Sequence, residues 1–140
     1  MSYTVRPKEL TNVSALSTEA RYRYLIYKVA DFEEVWSIRD NGGWACPIDD
    51  TGTKCIPIWP AQAFAQQCCV DDWQSKHPES ISLSDWLKKW LPGMSRDGMN
   101  ITVFPVPPIT ETLTAIVVQP DRMAEDLREA LGQFGDDEDE

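Results

Sequence analysis

Between Ile81 and Pro92, apolar residues recur at Leu83, Trp86, Leu87, Trp90 and Leu91, the i, i+3, i+4, i+7, i+8 spacing of one helix face. Ser82 followed three residues later by Asp85 is a capping box placed just ahead of that face. The pattern predicts a helix that turns two indoles toward a core. Pro92-Gly93 is expected to stop it, Asp97-Gly98 to turn the chain, and Met99 to Pro105 to run on as a strand.

The same reading extends to both ends. Pro7 opens a short helix to about Leu16, and Ser17 or Thr18 caps a second whose apolar face is Tyr22, Leu25, Ile26 and Val29. Glu34 to Arg39 and Gly43 to Ile48 form a hairpin about Asn41-Gly42-Gly43, because Asn-Gly suits a left-handed turn. A turn at Asp49-Asp-Thr-Gly52 leads to a third strand, Lys54 to Trp59, so a three-stranded antiparallel meander is predicted. Pro47 and Pro57 favour edge or bulge positions in it, since proline donates no ladder hydrogen bond. Pro60 starts a helix with an inner face of Ala61, Phe64, Ala65 and Cys68, running to about Trp73, and Lys76 to Glu79 reads as a loop. After the Pro105-Val-Pro-Pro108 break, Leu113 to Gln119 is a strand, and Met123, Leu127, Ala130, Leu131 and Phe134 stripe a last helix. The sum is an α+β domain over residues 1–135, with roughly five mainly antiparallel strands in one sheet and helices packed on it. Residues 136–140 are an acidic tail.

Length and composition agree with this picture. A chain of 140 residues buries enough surface for a core without covalent staples, and 42% hydrophobic residues with six tryptophans exclude disorder for its bulk. Net charge narrows the partners: of a formal −10, the last five residues supply half. Such a surface is repelled by nucleic-acid phosphates and by anionic lipids, and it attracts a basic protein. No apolar leader or membrane-length apolar run is present, so a cytoplasmic address is expected, with Cys46, Cys55, Cys68 and Cys69 as free and mostly buried thiols.

Motifs that carry chemistry are sparse. Asp50-Thr51-Gly52 is the aspartic-protease triplet, yet it occurs once and between polar neighbours, which favours a hairpin turn. Cys68 and Cys69 with the sole histidine, His77, raise the prospect of a thiol nucleophile, with Cys69 the better placed. Cys68 falls on a buried helix face, and His77 has no evident orienting carboxylate. Zinc needs short-spaced Cys or His pairs, and the acidic pairs Glu33-Glu34, Asp49-Asp50 and Asp71-Asp72 lack the calcium-loop pattern. No glycine-rich phosphate cradle is spelled out either, so no metal and no cofactor are expected. Of the six tryptophans most belong to the core, while Trp59 and Trp73, bracketing a helix, are expected to be partly exposed and to act as binding anchors.

Tyr27-Lys-Val-Ala-Asp-Phe-Glu-Glu-Val-Trp-Ser-Ile38, Ile56-Pro-Ile-Trp-Pro60 with Phe64-Ala65, the Trp86 to Pro92 helix end, Asp97-Gly98 and Val103-Phe-Pro105 stand together in one chain. As a set they resemble a bacterial domain-of-unknown-function family, number 2750, from about Ser17 to Leu131. These are aromatic, proline and turn positions, which define packing, and the resemblance implies no activity and no site. The expectation is a non-enzymatic binding module, an adaptor or an immunity-type protein that masks a basic partner. The alternatives are a small hydrolase or transferase working through Cys69 or Asp50, and a small-ligand sensor with a tryptophan-lined pocket.

Overall fold

Pro7 sits in the first turn of helix α1 (Pro7–Ser14) in the computed structural model, which describes residues 3–110 and 113–134. Helix α2 (Thr18–Phe32) follows, with the Ser17 hydroxyl accepting the Ala20 N–H at 3.2 Å. Its predicted face is buried in full. Glu33 ends the helix with a left-handed φ of 60° and donates its N–H to the Val29 carbonyl at 2.8 Å.

The chain then enters β1 (Glu34–Asp40), which turns at Asn41-Gly42 into β2 (Gly43–Trp44). The predicted meander ends there. β2 is two residues long, and the strand peels away toward Pro47, which has no N–H to continue the ladder. The other edge of β1 is taken by β4 (His77–Ser82), antiparallel from Glu34↔Ser82 to Arg39↔His77. The segment expected to be a loop at Lys76 to Glu79 is therefore largely strand. β3 (Cys55–Ile58) turns instead to β5 (Asn100–Val106) and pairs with it in parallel, while β6 (Thr114–Val118) lies antiparallel on the far side of β5. One sheet of about five strands is thus corrected to two sheets of three, ordered β2-β1-β4 and β3-β5-β6. They touch through a reciprocal pair of backbone bonds between Trp36 and Trp59, at 2.9 and 2.8 Å.

Two helices depart from expectation. The one after Pro60 is short, α3 (Gln62–Gln66): Cys68 and Cys69 donate their N–H groups only three residues back, to Ala65 and Gln66, Val70 is extended, and a separate 3-10 turn begins at Asp71, at φ of 53°, and runs to Trp73. The capped helix begins as α4 (Leu83–Asp85), with Ser82 Oγ accepting the Asp85 N–H at 3.1 Å as the capping box predicts. Pro92 does not stop it. The chain widens into a π-helical turn at Trp86–Trp90 and continues as α5 (Leu91–Asp97) until Gly98, whose φ of 72° suits glycine. A proline lacks the N–H that a regular α-turn requires, and the wider turn absorbs that loss.

The last helix, α6 (Pro120–Phe134), buries Met123, Leu127 and Ala130 and packs beside α2, where the Tyr22 hydroxyl donates to Asp126 at 2.5 Å. The acidic tail at 136–140 lies outside the described residues.

β5 is irregular at its end. Phe104 adopts φ of 55°, and its register to β6 breaks between Val103 and Val106. Ile101 to Pro105 are all buried, so the strand is covered on both faces up to and through this break. The Phe104 ring packs edge-on against Phe64 at 4.8 Å. The loosened carbonyls are captured by side chains: Arg21 Nε donates to Phe104 at 3.0 Å, and Trp59 Nε1 and Cys68 Sγ donate to Pro105 at 2.9 and 3.1 Å.

Candidate functional site

The strand alternation that buries Ile101, Val103 and Val118 beneath α2 puts Thr102, Ala115 and Val117 on the opposite face of the β3-β5-β6 sheet. The loop between β2 and β3 folds over one side of that face. Between loop and β6 runs a cleft of about 320 Å³ floored by Thr102, Leu113, Ala115 and Val117, with Pro47, Ile48, Asp49, Asp50 and Thr51 as its wall.

Asp49 builds the wall. One carboxylate oxygen accepts the Thr51 N–H at 2.9 Å, the Thr51 hydroxyl at 2.7 Å and the Thr53 N–H at 3.0 Å. The Thr51 hydroxyl bond and the Thr53 N–H hold its pKa below the ordinary carboxylate value, so it stays ionised. Gly52, at φ of 85°, closes the turn. Two neighbours then stand outward: Asp50 is exposed, and Ile48 is 60% exposed. Across the floor Val117 is 40% exposed. Apolar contact area and negative charge thus share one small surface. The turn is readable from sequence but the cleft is not, since the residues that complete it lie on and beside β5 and β6, about fifty to seventy positions away. The only local signal was a lone isoleucine between Pro47 and two aspartates.

The residues singled out from sequence fall elsewhere. Trp59 and Trp73 do come together, ring centroids 6.1 Å apart and nearly perpendicular, but at 0% and 8% exposure. The partial exposure expected of them is not found, because Trp59 turns its N–H to the Pro105 carbonyl and Trp73 packs against it from the 3-10 turn. Trp90 is the indole that reaches a surface hollow, about 280 Å³, with Ile56, Met94 and Met99, and it stacks edge-on with Trp44 at 5.1 Å.

Cys68 is buried, and burial pushes its thiol up to about 12. Cys69 is half-buried, donates to the Ala65 carbonyl at 3.6 Å, and is likewise raised by burial, which outweighs nearby Lys76. His77 sits exposed on β4, its Nε2 4.0 Å from Glu79. Neither thiol's hydrogen bond runs to it. All four cysteines are free. Asp71 accepts the Ile109 N–H at 3.1 Å, and Asp31, Glu33 and Glu34 border an open hollow beside Ser80 and Ser82. Among the described residues, no three His, Cys, Asp or Glu side chains gather as a metal site. No described helix is long and apolar enough to cross a membrane.

The geometry defines a class: an α+β domain of two three-stranded sheets with an acid-walled apolar cleft on one outer face. Residues 22–127 match the family described as protein of unknown function (DUF2750), and the chain belongs to that family. The matched span includes every cleft residue and leaves out the acidic tail. No curated protein and no solved structure matches the chain.

Proposed function

We propose that this domain is a non-enzymatic binding module that docks a positively charged partner protein on the outer face of the β3-β5-β6 sheet. One observation carries the reading: Ile48 and Val117 stand exposed on either side of a cleft whose wall is Asp49-Asp50. Apolar side chains held in water beside fixed negative charge fit a surface that is covered when a lysine- or arginine-bearing partner arrives. The formal charge of −10 steers the same class of partner and disfavours nucleic acid and anionic membranes. Burial raises the thiols at Cys55, Cys68 and Cys69, which works against a nucleophilic role and favours binding over catalysis. Four unpaired thiols suit the reducing cytoplasm, where we place the protein.

The test is an NMR titration of the isotope-labelled protein with an octapeptide of alternating lysine and valine, beside one of alternating glutamate and valine. The lysine peptide is expected to shift the amides of Ile48 to Thr51 and of Ala115 to Val117. Asp50→Lys is expected to weaken it about tenfold, as reversal of a contacting charge does. Equal binding of the glutamate peptide, or shifts mapping to another face, would sink the proposal.

A further inference from the structure

Among the described residues, two three-stranded sheets leave four strand edges, and three of them are blunted. β2 has two residues. β4 carries His77, Pro78 and Glu79. β3 is buried throughout, and the carbonyl of its Pro57 is occupied by the Ser37 hydroxyl at 2.7 Å. The fourth edge belongs to β6, Thr-Ala-Ile-Val-Val, which has no charge, no proline and an exposed Val117. Among the described residues no strand lies on its far side. Alternate backbone N–H and C=O groups of such a strand point away from its one partner and are open to pairing.

This edge is also the rim of the cleft. We infer that the partner docks by adding an extended segment to β6 as a fourth strand, with lysine or arginine at alternate positions on the outer face. The inference rests on the binding reading above and specifies how the partner is held. A strand added about 4.8 Å beyond β6 sets every second side chain on the face that carries Ala115 and Val117. A long basic side chain there lays its aliphatic stem over Val117 and directs its charge across the cleft to Asp49 and Asp50. Backbone bonds then supply affinity and the acidic wall supplies selection.

Charge decides between this occupant and a second copy of the chain. Antiparallel β6-to-β6 pairing would bring two Asp49-Asp50 walls onto one face, between molecules that each carry −10. A basic segment meets the opposite field.

The experiment uses the full chain and two further forms of the lysine-valine octapeptide, one N-methylated at every lysine and one at every valine. In an added strand all residues of one set turn their amides to β6, so one form is expected to lose about tenfold or more in affinity while the other binds as the parent. The parent is also expected to protect β6 amides from hydrogen exchange. Equal binding by both methylated forms would overturn strand addition while leaving a basic docking site in place; no binding by the parent removes both. Spermine producing the same shifts and affinity would make this a site for free amines, and sedimentation of the free chain as a dimer that the peptide dissociates would make a second copy the occupant. Either result overturns the inference.

Discussion

The indole N–H of Trp59 donates to the carbonyl of Pro105 at 2.9 Å, tying the end of β3 to the bulge of β5. Cys68 shares that carbonyl, and Arg21 holds the one before it. Side chains from three separate segments therefore hold a stretch of backbone that the sheet itself has released.

Two tryptophans make this testable, because both are fully buried and only one spends its N–H on a partner. Trp86 Nε1 has no hydrogen-bond acceptor among the described residues. Each Trp→Phe change removes similar ring volume, but Trp59→Phe also strips an acceptor of its main donor. Trp59→Phe is expected to cost about 1–2 kcal/mol more than Trp86→Phe. Urea unfolding with comparable m-values measures the difference, and equal losses would show that the Pro105 bond contributes nothing net.

Arg21 is 3% exposed and donates to the carbonyls of Phe104 and Leu16 at 3.0 and 2.7 Å. Arg21→Met is expected to destabilise the domain by roughly 2–4 kcal/mol, the scale for charge-assisted bonds to buried carbonyls. Arg21→Lys should not rescue it, since one ammonium cannot reproduce a forked donor. Full stability in the lysine variant would contradict this geometry.

How much of this was legible beforehand follows from the range of each interaction. The helices at Thr18, Ser82 and Pro120 and the turn at Gly98 were readable because caps, face periodicity and turn residues act within a few positions, but that Gly98 also ends the capped helix was not, since Pro92-Gly93 was expected to end it. The parallel pairing of β3 with β5 was not, since their partners lie some forty-five residues apart, as in Cys55↔Asn100. Pro92 misled for a physical reason: its missing N–H was absorbed by a π-turn instead of ending the helix. Trp59 and Trp73 bracket what reads as one helix, but that helix ends at Gln66, and the two rings are buried against each other with the Trp59 N–H on the distant Pro105 carbonyl.

Thiol reactivity should separate the cysteines. Cys46 is exposed, whereas Cys68 is fully buried with its thiol pushed up to about 12. Under native conditions an alkylating reagent is expected to modify Cys46 first and Cys68 only on unfolding. Mass spectrometry of a time course decides, and early labelling of Cys68 would mean that the core opens around it.

Alkaline pH offers a further handle. Burial, then hydrogen bonds to Asp126 and Glu9, raises the phenols of Tyr22 and Tyr24 above the ordinary tyrosine value. In the unfolded chain they ionise at about pH 10, so the stability they confer is present below that pH and is lost as pH rises above it. Tyr22→Phe is expected to flatten the fall in stability between about pH 10 and 11. Identical alkaline profiles for wild type and variant would refute the linkage.

Affinity of the lysine-valine octapeptide across a salt series tests the central claim most directly, with the full chain, a chain ending at Gly135, and Asp50→Lys compared side by side. If the folded cleft does the binding, removing residues 136–140 leaves affinity and salt slope unchanged, while Asp50→Lys weakens binding at low salt and flattens the slope. Loss of binding on truncation, with Asp50→Lys behaving as wild type, would contradict the account and move the docking site to the tail.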